Sequence, residues 1–199
     1  RVVTLERVAR APWMRMEQLK APAEYIEKIN SVVRPLEPLK ADQVIVLGMY
    51  LMNDIPMHEL SWWVRKFDAA AVEQAQRFVA GRPVMVNHAL EGVDALPEGK
   101  YFDAWVERRP DGSAHLATLM YMLNDERGQM LAKKIRAAII ADTSPAVFYD
   151  RLYCNICGAD DLDCEHMPGK VYDGVKCYAT MTDVTDVWEG SLVWMGKQR

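Results

Sequence analysis

The chain is expected to fold as an α+β domain, β-rich and mostly antiparallel, with helices packed against the sheet. Three observations point there. Runs such as "QVIVLGMYLM" (43–52) have the β-branched and apolar density of buried strands. Two stretches place apolar residues at helical spacing behind a capping side chain. A turn-rich joint, "RRPDGS", separates two strand-like runs at hairpin distance. With 199 residues the chain can bury a real core without staples.

Composition narrows the class. Hydrophobic residues make up 50% and charged residues 26%, the balance of a soluble globular protein. The net charge of −4 argues against nucleic acid as the main partner, because phosphate binding needs a basic surface. No apolar run reaches the length of a membrane span and no signal-peptide pattern is read at the start, so no membrane partner is expected. A chain opening on Arg1 rather than Met is expected to be trimmed or processed there. Cysteines clustered with a histidine, rather than spread as a disulfide framework, indicate a reducing compartment.

In chain order, Met14 to Ile29 can form a helix and "RPLEPLK" (34–40) is a Pro-punctuated connector, so residues 1–40 read as an N-terminal helical arm. The buried strand 43–52 opens the main domain, 41–199. "FDAAAVEQAQRFVAG" (67–81) carries a helix start at Asp68 and a stop at Gly81, with Val72, Ala75 and Val79 on one face. "RPVMVNH" (82–88) follows as a strand with Pro83 at its beginning. "KYFDAWVE" and "AHLATLMYML" should pair as an antiparallel hairpin. Asn124 can cap a helix running through Ile140, with Leu131, Ile135 and Ile139 as its stripe. "SPAVFYDRLY" (144–153), "GVKCYATM" (174–181) and "WEGSLVWM" (188–195) complete the strands.

The densest chemistry lies in "CNICGADDLDCEH" (154–166). Cys154 and Cys157 form a C-x-x-C pair, a spacing at which one tight turn aims two thiolates at one ion. Cys164 and His166 follow after enough chain to loop back. Three thiolates and an imidazole make a tetrahedral zinc site of the closed, structural kind. Thiolates donate charge and blunt Lewis acidity, so this zinc is expected to clamp rather than catalyse. Cys177 is a further candidate that can replace His166 or Cys164. The acids Asp160, Asp161, Asp163 and Glu165 in the same loop read as solvating charge.

The run "TSPAVF", then "CNICG…DCEHMPGKVYDGVKCY", then the closing "WEGSLVWMG", with "PVMVNH" and "KYFDAWVE" upstream, has a distinctive order. It resembles the prohead (capsid-maturation) protease family of tailed bacteriophages, in a branch bearing a zinc-knuckle insertion, a family related in fold to herpesvirus maturational proteases. The resemblance covers residues 42–199 and leaves 1–40 outside. It implies a mostly antiparallel β-barrel-like core, with the zinc knuckle (about 154–177) inserted between two strands. It implies a Ser-His-Glu triad: Ser144 as nucleophile, His88 as general base, and Glu189 as the orienting acid. It also implies phage scaffold and capsid proteins as partners and substrates, with room for a homo-oligomer. The location implied is the procapsid or virion, assembled in the cytoplasm of a bacterial host.

Each of these residues also has a plainer reading. Ser144 before Pro145 is good helix-terminating turn chemistry, and Glu189 can be an outward strand residue. Asp183 and Asp186 in "MTDVTDV" compete with Glu189 for the acid's role. His58 and His115 are expected at the surface, His115 facing water from its strand. Trp62, Trp63, Trp105 and Trp194 are expected to be core or interface anchors. The sequence departs from the family pattern at Ala89 and at Pro145. Proline has no N–H, so the amide following Ser144 cannot donate to an oxyanion. That departure suits the alternative function: a protease fold without catalysis, serving as a structural protein of the phage head or neck.

Overall fold

Strand β2, Val44–Asn53, is buried along all ten residues, which happens only when both faces of a strand are covered. Its side chains divide by parity. Ile45, Leu47, Met49 and Leu51 enter the main core, while Val44 and Val46 join a second cluster on the opposite face. A register shift between Tyr50 and Met52 lets Leu51 and Met52 both reach the main core. The computed structural model describes residues 17–19, 21–57, 64–89 and 96–194.

The second face is covered by helix α1, Ala23–Val33, whose Ile29 packs with Val44, Val46, Phe102, Leu119 and Tyr121. The helix starts later than the expected Met14. Pro22 occupies its N-cap with an extended backbone, and a proline disfavours helical geometry in the residue before it. Ahead of it, β1, Glu17–Leu19, pairs antiparallel with β2; residues 14–16 lie outside the described residues. The connector after α1 is fastened by Asn30, whose side chain donates to Leu39 O (3.0 Å) and accepts from Leu39 N (2.8 Å).

The other strands are β3 (Arg65–Phe67), β4 (Pro83–Val86), β5 (Gly99–Arg108), β6 (Ala114–Leu123), β7 (Asp142–Cys154), β8 (Val171–Tyr172), β9 (Val175–Lys176) and β10 (Ala179–Val193). The main sheet runs β1-β2-β6-β5-β4-β10-β3, with β7 paired along β10. Every pairing is antiparallel except those of β10 with β3 and β4. The sheet curls into a half-barrel, and the start of β7 comes back against β2, where Thr143 Oγ1 donates to Tyr50 O at 2.8 Å. Helix α2, Ala69–Val79, is capped by Asp68, which accepts from Ala71 N at 2.8 Å. It buries Ala71, Val72, Ala75 and Val79 against the main core.

Several expectations need correction. Helix α3, Glu126–Arg136, is capped by Asp125 rather than Asn124, whose amide instead donates to Asp42 O. The helix ends before Ile140 because Ala138 turns left-handed (φ 54°), and Ile139 is left 63% exposed. The strands expected at 174–181 and 188–195 are not two. Val175–Lys176 belongs to the small β8–β9 hairpin, and the rest is one 15-residue strand, β10. A left-handed Asp183 (φ 56°) and two register shifts bend that strand without ending it. His115 does not face water. It sits in β6 between Asn53 and Glu107, is 4% exposed, and stacks edge-on against Tyr50. Its ring accepts or donates to Ser113 Oγ at 2.9 Å, and burial pushes its pKa down. Trp105 is half-buried against the second cluster, while Trp194 is 70% exposed. His58, Trp62 and Trp63 lie outside the described residues. Among the described residues, no helix is long and apolar enough to cross a membrane.

Candidate functional site

The chain leaves β4 through a two-residue left-handed turn, Asn87 (φ 51°) and His88 (φ 54°), closed by Ala89 N donating to Val86 O at 3.0 Å. Asn tolerates this region, but histidine pays on the order of 1 kcal/mol to occupy it. Asn87 N donates to Leu192 O (3.0 Å) and His88 N to Ser191 Oγ (3.0 Å), which holds the turn against β10. The imidazole is thereby thrown onto Glu189, with Nδ1 2.5 Å from Oε1. The histidine side chain is 41% exposed and the glutamate side chain 6%, so one end of the pair meets solvent and the other is sealed. A carboxylate buried this far needs partners, and Glu189 has two: His88 and the Ser191 hydroxyl, 2.7 Å from Oε2.

Strand parity explains why these groups meet. Glu189 and Ser191 are two residues apart and share one face of β10, while Gly190 and Leu192 turn to the core. In the β7–β10 pairing, Ser191 stands opposite Ser144 and Glu189 opposite Ala146. Directly opposed residues project to the same side, so half-buried Ser144 lies on the face that carries Glu189. Among the described residues Ser144 makes no hydrogen bond to His88. The two competing acids are placed elsewhere. Asp186 is paired with Arg82 at 2.5 Å and accepts from Val187 N, and Asp183 occupies the left-handed kink. Sequence reasoning missed Ser191. The available signal was its position two residues beyond Glu189 in the same apolar strand.

Gly190 lets this strand lie against the core. A Cβ there would fall 2.3 Å from Tyr101 Oη and 2.7 Å from Leu51 Cδ1. Tyr101 is fully buried, and burial followed by the Glu189 charge pushes its pKa up. Both neighbours are themselves packed in the core. Gly190→Ala is therefore expected to cost about 1–3 kcal/mol, read as a fall in Tm on the order of 5 °C.

At the far end of the β7–β10 pairing, Cys154 closes β7 opposite Ala179. The chain then turns tightly, Gly158 (φ 77°) donating to Cys154 O at 2.8 Å. Ligand atoms of Cys154, Cys157, Cys164 and His166 all come within 4.8 Å of one another, so these four residues could hold a metal ion. The fit has a sharper sign. His166 Nδ1 is buried without a hydrogen-bond partner, as a metal-ligating nitrogen would be, while its ring stands edge-on to Tyr172. Burial pushes the Cys154 thiol up, but hydrogen bonds from the Cys157 and Ile156 amides and from the Cys157 and Cys164 side chains together leave it lowered, while burial leaves Cys164 raised. Cys177 lies outside the four, its sulfur 3.9 Å from that of Cys154; burial and then Cys154 push its thiol up to about 12. Asn155 ties the loop to the next strand, donating to Lys176 O (3.0 Å) and accepting from Tyr178 N (2.6 Å).

From Ser144 to Cys154 the strand spans roughly 30 Å at about 3.3 Å per residue, so the cysteine cluster and the His88–Glu189 pair are separate centres. No protein-family model, no curated protein and no solved structure matches the chain.

Proposed function

We propose that the chain is a serine endopeptidase of the prohead-protease type, with Ser144 as nucleophile, His88 as general base and Glu189 as the orienting acid. The observation that carries this reading is the contact of His88 with a buried carboxylate beside a serine in register across the strand pair. With Nδ1 engaged by Glu189, Nε2 is the nitrogen left to take a proton. Ser144 Oγ attacks the scissile carbonyl carbon as its proton passes to His88 Nε2, and Glu189 stabilises the imidazolium. The tetrahedral intermediate collapses, the leaving amine takes that proton, and an acyl-Ser144 ester remains. Water then attacks the ester with His88 again as base. Pro145 supplies no N–H, so the oxyanion's donors come from other amides. The substrates on this reading are scaffold protein, capsid-protein extensions and the chain itself inside the procapsid.

In the same proposal the metal held by Cys154, Cys157, Cys164 and His166 is a structural zinc that braces the ends of β7 and β10. Elemental analysis of protein purified without chelator is expected to find one zinc per chain. Cys157→Ser should lower zinc content and Tm together, since metal binding is linked to folding. Zinc-free protein with an unchanged Tm would overturn the assignment.

Pro145 favours a second reading, a protease fold retained as a structural part of the phage head or neck. Assembly with the cognate capsid and scaffold proteins separates the two. A maturation protease cleaves them and is lost from finished particles, whereas a structural protein leaves them intact and stays at fixed copy number.

A further inference from the structure

Ser191 is fully buried, yet its hydroxyl is the hub of the site. Its oxygen accepts the His88 amide N–H at 3.0 Å, and its proton goes to Glu189 Oε2 at 2.7 Å. Glu189 Oε1 meets His88 Nδ1 at 2.5 Å, so backbone amide, hydroxyl, carboxylate and imidazole form a closed ring. Ser191 also stands between the two strands that matter, in register with Met85 of β4 and Ser144 of β7. A hydroxyl has one proton to give, and here it is committed to the acid, so Ser191 is not poised as a nucleophile.

We infer that Ser191 is the positioning residue of this site, fixing the Glu189 carboxylate and the left-handed His88 turn together so that the imidazole has one orientation. The consequence for cleavage rests on the protease reading; the consequence for the His88–Glu189 contact does not. Without the hydroxyl, Oε2 loses a donor, the His88 amide loses its acceptor, and both halves of the contact are free to turn. An error of about 1 Å in such a group can cost on the order of a hundredfold in rate.

The test uses the full chain labelled with 15N-histidine. A carboxylate-bound imidazole N–H gives a far-downfield proton resonance, and the parent is expected to show one at His88. Ser191→Ala should abolish it or broaden it by exchange. Ser191→Cys, nearly isosteric with a weak donor, should shift it upfield and speed its exchange at least tenfold. Thr118→Ala serves as control. Thr118 is buried and its hydroxyl donates to Met49 O, so its removal also costs stability but should leave the resonance in place. On a cleavable capsid substrate, kcat should fall about a hundredfold in Ser191→Ala with little change in KM. If Ser191→Ala does not fold, Ser191→Cys decides. A downfield His88 signal unchanged in the folded Ser191 variants, or absent from the parent, overturns the inference. Should Ser144→Ala cleave normally while the resonance still depends on Ser191, the protease reading fails and the positioning role stands.

Discussion

Ser144→Ala is expected to abolish self-processing and cleavage of co-expressed capsid protein while leaving the domain folded. Removing a nucleophile costs on the order of a millionfold in kcat where a serine-histidine-acid unit does the chemistry. The structural cost should be small. Ser144 is half-buried, its side chain makes no hydrogen bond among the described residues, and alanine suits the backbone of β7. Activity and Tm therefore separate cleanly at this position, as they would not at Gly190. Normal cleavage by the alanine variant would move the nucleophile elsewhere. Intact capsid protein with both parent and variant, in assembling particles, would leave the non-catalytic reading in its place.

Glu189→Gln is expected to cut cleavage on the order of a thousandfold or more with the fold retained. An amide can hold the imidazole in the wrong tautomer and cannot balance its positive charge. The substitution is nearly isosteric, so the packing of β10 against β4 and β7 should survive. Asp183→Asn and Asp186→Asn are the comparison, because both acids stand in the same strand and neither touches His88. Asp186 loses its half-exposed ion pair with Arg82, worth about 1 kcal/mol near a protein surface, while an asparagine oxygen can still accept from Val187 N. Near-normal cleavage by Glu189→Gln with a collapse in either aspartate variant would transfer the orienting role to that aspartate.

What could be read from the sequence follows the range of the forces involved. The β2 strand, α2 and the β5–β6 hairpin were legible because apolar period, an Asp68 cap and a Pro-Asp-Gly turn are local signals. The cysteine cluster was legible for the same reason: the four side chains that could hold a metal lie within thirteen residues. The burial of His115 was not, because it depends on β6 lying between β2 and β5, which no alternation within one strand reveals. The unity of β10 was hidden too, since Asp183 and Asp186 resemble a break until β7 pairs past them. Proximity of His88 to Glu189 depends on residues 101 apart in sequence and came from resemblance rather than from spacing. Ser191 escaped because its one local signal, standing two residues beyond Glu189, says nothing of the His88 amide it also joins. The expected start of α1 at Met14 overlooked Pro22, which sits at the N-cap and keeps the residue before it out of helical geometry.

Labelling with a fluorophosphonate decides whether Ser144 and His88 act as nucleophile and base. The reagent phosphonylates a serine only when a neighbouring base makes it nucleophilic. Metal-loaded parent protein should take up one equivalent, mapped by peptide mass spectrometry to Ser144, and His88→Ala and Ser144→Ala should take up none. A folded, metal-loaded parent that stays unlabelled, or that is labelled at another serine, would contradict the assignment.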